Sequence, residues 1–505
     1  MKSQQHLWRV LFSVSMVLVL LCGCATTGQA AKVKAEDLLI QAQAADQAGE
    51  YDQEMALLKQ AITLKPKMAE AHYRLGALYL DRSMFDEAIG SLKVALVLKH
   101  AGAQKALAIA YFKAGKLDEA EALYKEMLVK TPNDMDLRYR LGNIYLAKGM
   151  LNEAGAEYRQ VLQMDPNNGG AHNGLANLYY RQRKFEDAMA EYLQAIKMNP
   201  NLAEANLDLG NAYYEKRQYP QAAAYFKKYT ELAPKDAVGY FMLAKAYQVQ
   251  KDSTLFPQAI AMSEKAVKLD PNNDGAWYLL ASLNRELKNY KQSAIAFGRA
   301  LELSPVDAER WYEAGKVYQK LGNTYWDAKD TASAQSAFNS AIESYDKACE
   351  LDPSKVESSY YDKATAYYQG GKYDEAIEWF KRRIKQNPKT AYGAWFNMGN
   401  TYSVKAQSLK NPKSPEAKAL YLEALNCFAE ARKLKMEKKT KPDLELVPVM
   451  ESVAQHYYFI FKNFKEAKYK VLTRTECNAI LKIDPGNQTA KAILADMAPK
   501  IEVWD

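Results

Sequence analysis

Leu141, Gly142 and Tyr145 stand at i, i+1 and i+4, the spacing of an apolar stripe along one face of a helix. The stripe returns at a fixed interval. Three consecutive stretches, LRYRLGNIYLAKGMLNEAGAEYRQVLQMDPNN, AHNGLANLYYRQRKFEDAMAEYLQAIKMNPNL and ANLDLGNAYYEKRQYPQAAAYFKKYTELAPKD, share it. Pro166, Pro200 and Pro234 are 34 residues apart, as are Asn143, Asn177 and Asn211. Such self-similarity predicts a chain built from one repeated helix pair.

Each recurrent position has a mechanical reading. Gly142 and Gly210, with Ala176 and Ala244 at the same phase, are small enough for a second helix to come close. Ala154, Ala188, Ala222 and Ala259 supply the matching small contact on that second helix. Gly149, Gly115 and Gly322 are predicted to break the chain between the two helices. A bulky apolar residue follows two positions after the break phase, as at Phe85, Leu117, Leu151, Phe185, Tyr219, Tyr290 and Tyr373. The closing proline ends the second helix and starts the next turn. One helix pair cannot bury its own apolar faces, so neighbours must stack to make a core. The pattern predicts about eleven pairs from Ala35 onward, a divergent twelfth, and a last helix over Gln488–Met497.

The period is broken in places. Residues 69–100 make a unit two residues short, with His100 where proline is usual, and the unit from Ala237 carries about three extra residues around KDST. Tyr318 to Ala348 spans 30 residues where the equivalent Tyr179 to Ala195 spans 16, and Tyr402 to Ala431 spans 29. Two repeats therefore carry insertions of 14 and 13 residues at the inter-helix turn, separated by one regular repeat (Glu357–Thr390). In the first, the apolar spacing stays helical and Asp330-Thr331 reads as the start of the second helix. In the second, Pro412 and Pro415 predict a loop before a restarted helix. Insertions of this kind collect on one face of a repeat protein, often the binding face; tolerated loop drift is the competing reading.

The 34-residue pattern resembles the tetratricopeptide repeat (TPR), and the resemblance covers nearly the whole chain after the N-terminal segment. It implies an all-α fold, an α-solenoid in which antiparallel helix pairs stack into a right-handed superhelix. In that family the first helices line the concave face, where exposed positions meet a ligand. Those positions here are Tyr139, Asn143, Asn177, Tyr180, Asn211 and Tyr214. An asparagine ladder would grip an extended peptide backbone through amide hydrogen bonds, with tyrosine rings over its side chains. Asparagine at this phase also serves packing and local hydrogen bonding in the family, and both readings stay open. A carboxylate clamp of lysine and asparagine is not carried over, because Lys105 is followed four residues on by Ile109.

Composition adds the compartment. Val10 to Leu21 is a 12-residue apolar run after the basic Lys2 and Arg9, the build of a secretory signal and short for a bilayer span. It ends in Leu21-Cys22-Gly23-Cys24, which resembles the bacterial lipoprotein lipobox with Cys24 as the modified residue. The resemblance implies cleavage after Gly23 and lipidation of Cys24, more than one acyl chain being needed for stable anchoring. Ala25 rather than aspartate follows, which in that family implies export to the outer membrane. A metal site would need about four ligands and none cluster there. The net charge of +8 falls to +6 without Lys2 and Arg9 and is spread through a mixed chain. That gives no footprint for nucleic acid. The basic cluster Arg432–Lys441 reads as a solvated linker.

Chemistry is sparse. The histidines (His6, His72, His100, His172 and His456) form no metal-ligand pair, and His72 and His172 share a phase with Trp277 and Trp311, which marks packing. Cys349, Cys427 and Cys477 fall on second helices as buried small hydrophobes, with a Cys427–Cys477 bridge as the alternative. No phosphate loop, nucleophile elbow or catalytic carboxylate pair stands out, so no enzyme activity, cofactor or metal is expected. The expected organisation is a signal peptide over 1–23, a tether over 24–34 and a regular array over 35–307. An array with two long hairpins over 308–435 and a divergent repeat with a capping helix over 436–505 complete it. The expected function is a lipid-anchored periplasmic scaffold binding protein or peptide partners during assembly of an envelope, secretion or pilus machine. In layout it resembles the repeat lipoproteins of pilus, secretin and outer-membrane-protein assembly. A glycan-handling role, in polysaccharide export or peptidoglycan synthesis, is the alternative.

Overall fold

The computed structural model describes residues 34–436 and 444–497, which hold 25 α-helices and no strand. They form twelve antiparallel pairs and a last helix, Gln488–Asp496, and divide between Arg217 and Gln218 into two compact units. The signal sequence, Cys22, Cys24, His6 and most of the tether lie outside the described residues.

Several pairs are seated by a small-to-large contact. A Cβ added to Gly142 would lie 2.6 Å from Cε1 of the fully buried Tyr158, so only hydrogen fits where ring and helix meet. Gly76 on Leu92, Gly315 on Tyr345 and Gly399 on Phe428 repeat the arrangement at 2.5, 2.7 and 2.7 Å. Ala176 and Ala244 fill the same phase with no exposed surface, and Ala154, Ala188, Ala222 and Ala259 are equally buried on the second helices. The abundant tyrosine is thus spent on the core: Tyr124, Tyr158, Tyr192 and Tyr345 are among the largest enclosed side chains.

Most turns within a pair use one residue of positive φ, the turn between Ser408 and Pro415 being an exception. Gly115 and Gly149 supply it at 74° and 78°, but Ser83, Arg183, Arg217 and Lys288 adopt 59–61° at the same phase. The phase is therefore constant while glycine is not, and non-glycine residues accept a cost of roughly 1 kcal/mol there. The apolar residue two positions later opens the second helix, as in Phe85–Val97, Leu151–Met164 and Phe185–Met198.

Gly322 corrects the sequence reading. It lies inside the helix Ala308–Asp327, where an added Cβ would meet Phe338 Cε1 at 2.5 Å. The 14 inserted residues lengthen both arms of this hairpin, so the turn moves seven residues, from 322 to Lys329, and the small-to-large contact recurs seven residues above Gly315 and Tyr345. The second helix, Thr331–Leu351, starts where expected, with Asp330 accepting from the Ser333 amide at 3.1 Å. The other insertion gives the helices Tyr392–Ser408 and Pro415–Met436 around a short loop.

Two further differences concern polar residues. His100 replaces the closing proline by stacking on Tyr73, with centroids 4.0 Å apart, while Nε2 meets Glu70 at 2.9 Å. The start of the supposed basic linker is helical: Arg432 pairs with Glu476 at 2.9 Å and Lys435 lies 4.6 Å from the Tyr392 ring centroid.

Candidate binding surface

The closing proline does more than stop a helix. The residue two positions later caps the next first helix: Asp134, Asn168, Asn273 and Asp307 accept from the third amide at 2.8–3.1 Å. The residue six positions after the proline donates to the proline carbonyl, from His72, Arg138, His172, Trp277 and Trp311 at 2.8–3.0 Å. Side chains as different as histidine and tryptophan share this phase because each offers an N–H at the right reach. That spacing was visible in the sequence; the carbonyl partner was not.

The first helices of the N-terminal unit carry the proposed ladder, and its asparagines are partly committed. Asn143 Oδ1 accepts the Tyr158 hydroxyl at 2.7 Å, and Asn177 Oδ1 accepts that of Tyr192. Asn177 also hydrogen-bonds the carboxylate of half-buried Asp208, which burial and nearby Glu204 push up to about 6. Tyr139 packs 6.1 Å from the Tyr158 ring, and Tyr180 meets Phe185 edge-on at 5.4 Å. Asn211 and Tyr214 lie half-buried on the next first helix, Ala203–Glu215. The six residues therefore share one helix register, but the Asn143 and Asn177 carbonyls serve their own repeats. Lys105 is held by Asp136 at 2.6 Å.

Arrangements with chemical potential prove to be core contacts. Ser403 hydrogen-bonds His456 Nε2, an apposition the sequence did not advertise because the two are 53 residues apart. Ser403 is 5% exposed, His456 Nδ1 faces the Ser452 carbonyl at 2.6 Å rather than a carboxylate, and burial lowers the imidazole pKa. A reagent has no approach to that hydroxyl. Cys427 and Cys477 are buried and unbridged, their thiols pushed up to about 12 and about 11 by burial. Among the described residues no cluster of His, Cys, Asp and Glu is suited to a metal, and no helix is long and apolar enough to cross a membrane.

The C-terminal unit holds a recess of about 440 Å3 beside the first long hairpin. Trp326 and Phe338 come from the hairpin's extension, and Tyr368 and Tyr373 from the next repeat.

Comparison with known sequences names the repeat. Residues 39–104 and 173–237 match one profile described as tetratricopeptide repeat, 111–159 match a second, and 142–183 match a profile described as TPR repeat. The fold is an all-α TPR solenoid. Residues 237–397 match a profile described as regulator of microtubule dynamics protein 1-3. The chain is 26% identical over 113 residues to an N-terminal acetyltransferase A complex subunit-like protein of Schizosaccharomyces pombe, covering 22% of this chain and 14% of that one. It is 26% identical over 152 residues to the protein STIP1 homolog of Dictyostelium discoideum, covering 26% of this chain and 27% of that one. The chain thus spans less than a third of the length of these relatives. A crystallised TPR protein from Parabacteroides merdae is similar at 19% identity and a TM-score of 0.42, over 50% of this chain and 98% of that one.

Proposed function

We propose that this TPR protein is a scaffold that holds partner proteins in the periplasm, lipid-anchored through Cys24 to the outer membrane, during assembly of a cell-envelope, secretion or pilus machine. The observation that carries the binding half is the register of Tyr139, Asn143, Asn177, Tyr180, Asn211 and Tyr214 along successive first helices. Their aromatic rings and amide groups suit an extended polypeptide, which offers alternating donors and acceptors. The lipobox-like Leu21-Cys22-Gly23-Cys24 supports the anchor.

A photo-crosslinking residue placed at Asn211 or at the exposed Thr324 in living cells tests it, with captured species identified by mass spectrometry. A discrete protein caught at either position is the expected result. Crosslinks to glycan alone, or none at either position, would overturn the scaffold and put the glycan-handling role in its place.

A further inference from the structure

The recess beside the first long hairpin is built partly by residues of the insertion. The extension carries Asn323, Trp326, Gln335 and Phe338, and the regular repeat that follows closes the far wall with Tyr368, Gln369 and Tyr373. Trp326 is 59% exposed, a large ring that solvent would not select at a hairpin tip. Tyr368 and Tyr373 make an aromatic corner, with centroids 6.3 Å apart and planes at 54°. No lysine, arginine, histidine, aspartate or glutamate lines the recess, so its occupant there is uncharged.

A relay fixes the hydrogen-bonding sense of one wall. Thr365 spends its hydroxyl hydrogen on the Asp362 carbonyl at 2.8 Å, so its oxygen accepts from Gln319 Nε2 at 2.9 Å. Tyr345 donates to Gln319 Oε1 at 3.1 Å, which holds the same orientation of the Gln319 amide. Gln319 Nε2 therefore also donates to Gln369 Oε1, at 2.7 Å. With its Oε1 held by Gln319, the Gln369 side chain that lines the recess has its NH2 group left to offer as a donor.

We propose that this recess binds an uncharged, proline-rich segment of a partner protein in the polyproline II conformation; the proposal rests on the protein-binding reading above. Such a segment leaves its backbone carbonyls unbonded and has no N–H at proline, so it supplies the acceptors that a donor-bearing wall requires. Pyrrolidine rings pack on aromatic faces, and the preformed helix loses little entropy on docking. A volume of about 440 Å3 admits a few residues of such a chain and no folded domain.

The test titrates the full-length protein with acetyl-Pro-Pro-Leu-Pro-Pro-Ala-Pro-Pro-amide by calorimetry. The same peptide with alanine for every proline, and maltotetraose, are titrated in parallel. The proline peptide should bind with a dissociation constant under about 1 mM, at least about tenfold tighter than the alanine peptide. Trp326→Ala and Gln369→Glu should each weaken it at least about tenfold while far-ultraviolet circular dichroism is unchanged; Trp326 is exposed, so its loss leaves the core intact. Absence of binding, equal binding of the alanine peptide, unchanged affinity in both variants, or binding of maltotetraose alone would overturn the proposal. A protein captured at Asn211 beside a silent peptide would fail this site and leave the scaffold standing. Peptide binding without any captured protein would do the reverse.

Discussion

Whether a glycine helps or harms this protein depends on what lies a few ångströms from its missing Cβ. Gly142 faces Tyr158 at 2.6 Å, whereas Gly90, on the exposed side of Phe85–Val97, has nothing within 4 Å. Gly142→Ala should therefore destabilise by about 1–3 kcal/mol through overpacking, despite the better helix propensity of alanine. Gly90→Ala should stabilise by about 0.5–1 kcal/mol. Thermal melts of the two variants check the opposite signs. Asp208 gives a second residue-scale expectation. Its folded pKa is raised from 3.8 to about 6, so the native state holds the proton more tightly than the unfolded chain. Its contribution is favourable below 3.8 and is lost as pH rises through about 6, leaving a cost at neutrality. Asp208→Asn keeps an acceptor for Asn177 and should raise stability at pH 7 by up to about 3 kcal/mol. That gain should fade on acidification, and urea unfolding across this range would show a flat difference if burial were not the cause.

At the scale of a helix pair, the long hairpin shows why an insertion of 14 residues is tolerated. Seven residues added to each arm keep Gly315 opposite Tyr345 and place Gly322 opposite Phe338, two turns higher on the same stripe. The extension is thus helical core carried outward, with Trp326 left at its tip. Phe338→Ala should cost about 3–5 kcal/mol by emptying that contact. Because each repeat touches mainly its neighbours, the loss should be local. Hydrogen exchange should quicken in residues 319–340 and stay unchanged in Met135–Ala147. A uniform change across the chain would show that the hairpin is coupled to the whole array. The ion pairs between successive repeats, Lys116 with Asp86 at 2.7 Å and Lys148 with Asp118 at 2.6 Å, are exposed and add little by comparison.

For the whole molecule, the proposed anchor and the repeats make separable demands. Cys24→Ser should leave the repeats folded and release the protein from membrane fractions, whereas retention in outer-membrane vesicles would remove the lipobox reading. The sequence by itself determined the helix-pair architecture, because a 34-residue period with a stripe at i, i+1 and i+4 has one economical way to be buried. It also marked the start of the helix at Thr331 and the break before Pro415, since capping and proline act through their immediate neighbours. What it left open were contacts between residues distant along the chain. Gly322 reads as a turn by phase and becomes a packing seat once the lengthened arms carry it past the break. For Asn143 and Asn177 the sequence leaves a binding ladder and local hydrogen bonding both open; Tyr158 and Tyr192, 15 residues on, occupy their carbonyls. The recess, with its oriented Gln369, exists only where Tyr345, Gln319 and the following repeat converge. Local periodicity reports which face of a helix is buried; which atom it meets there is decided by the stacking of one repeat on the next.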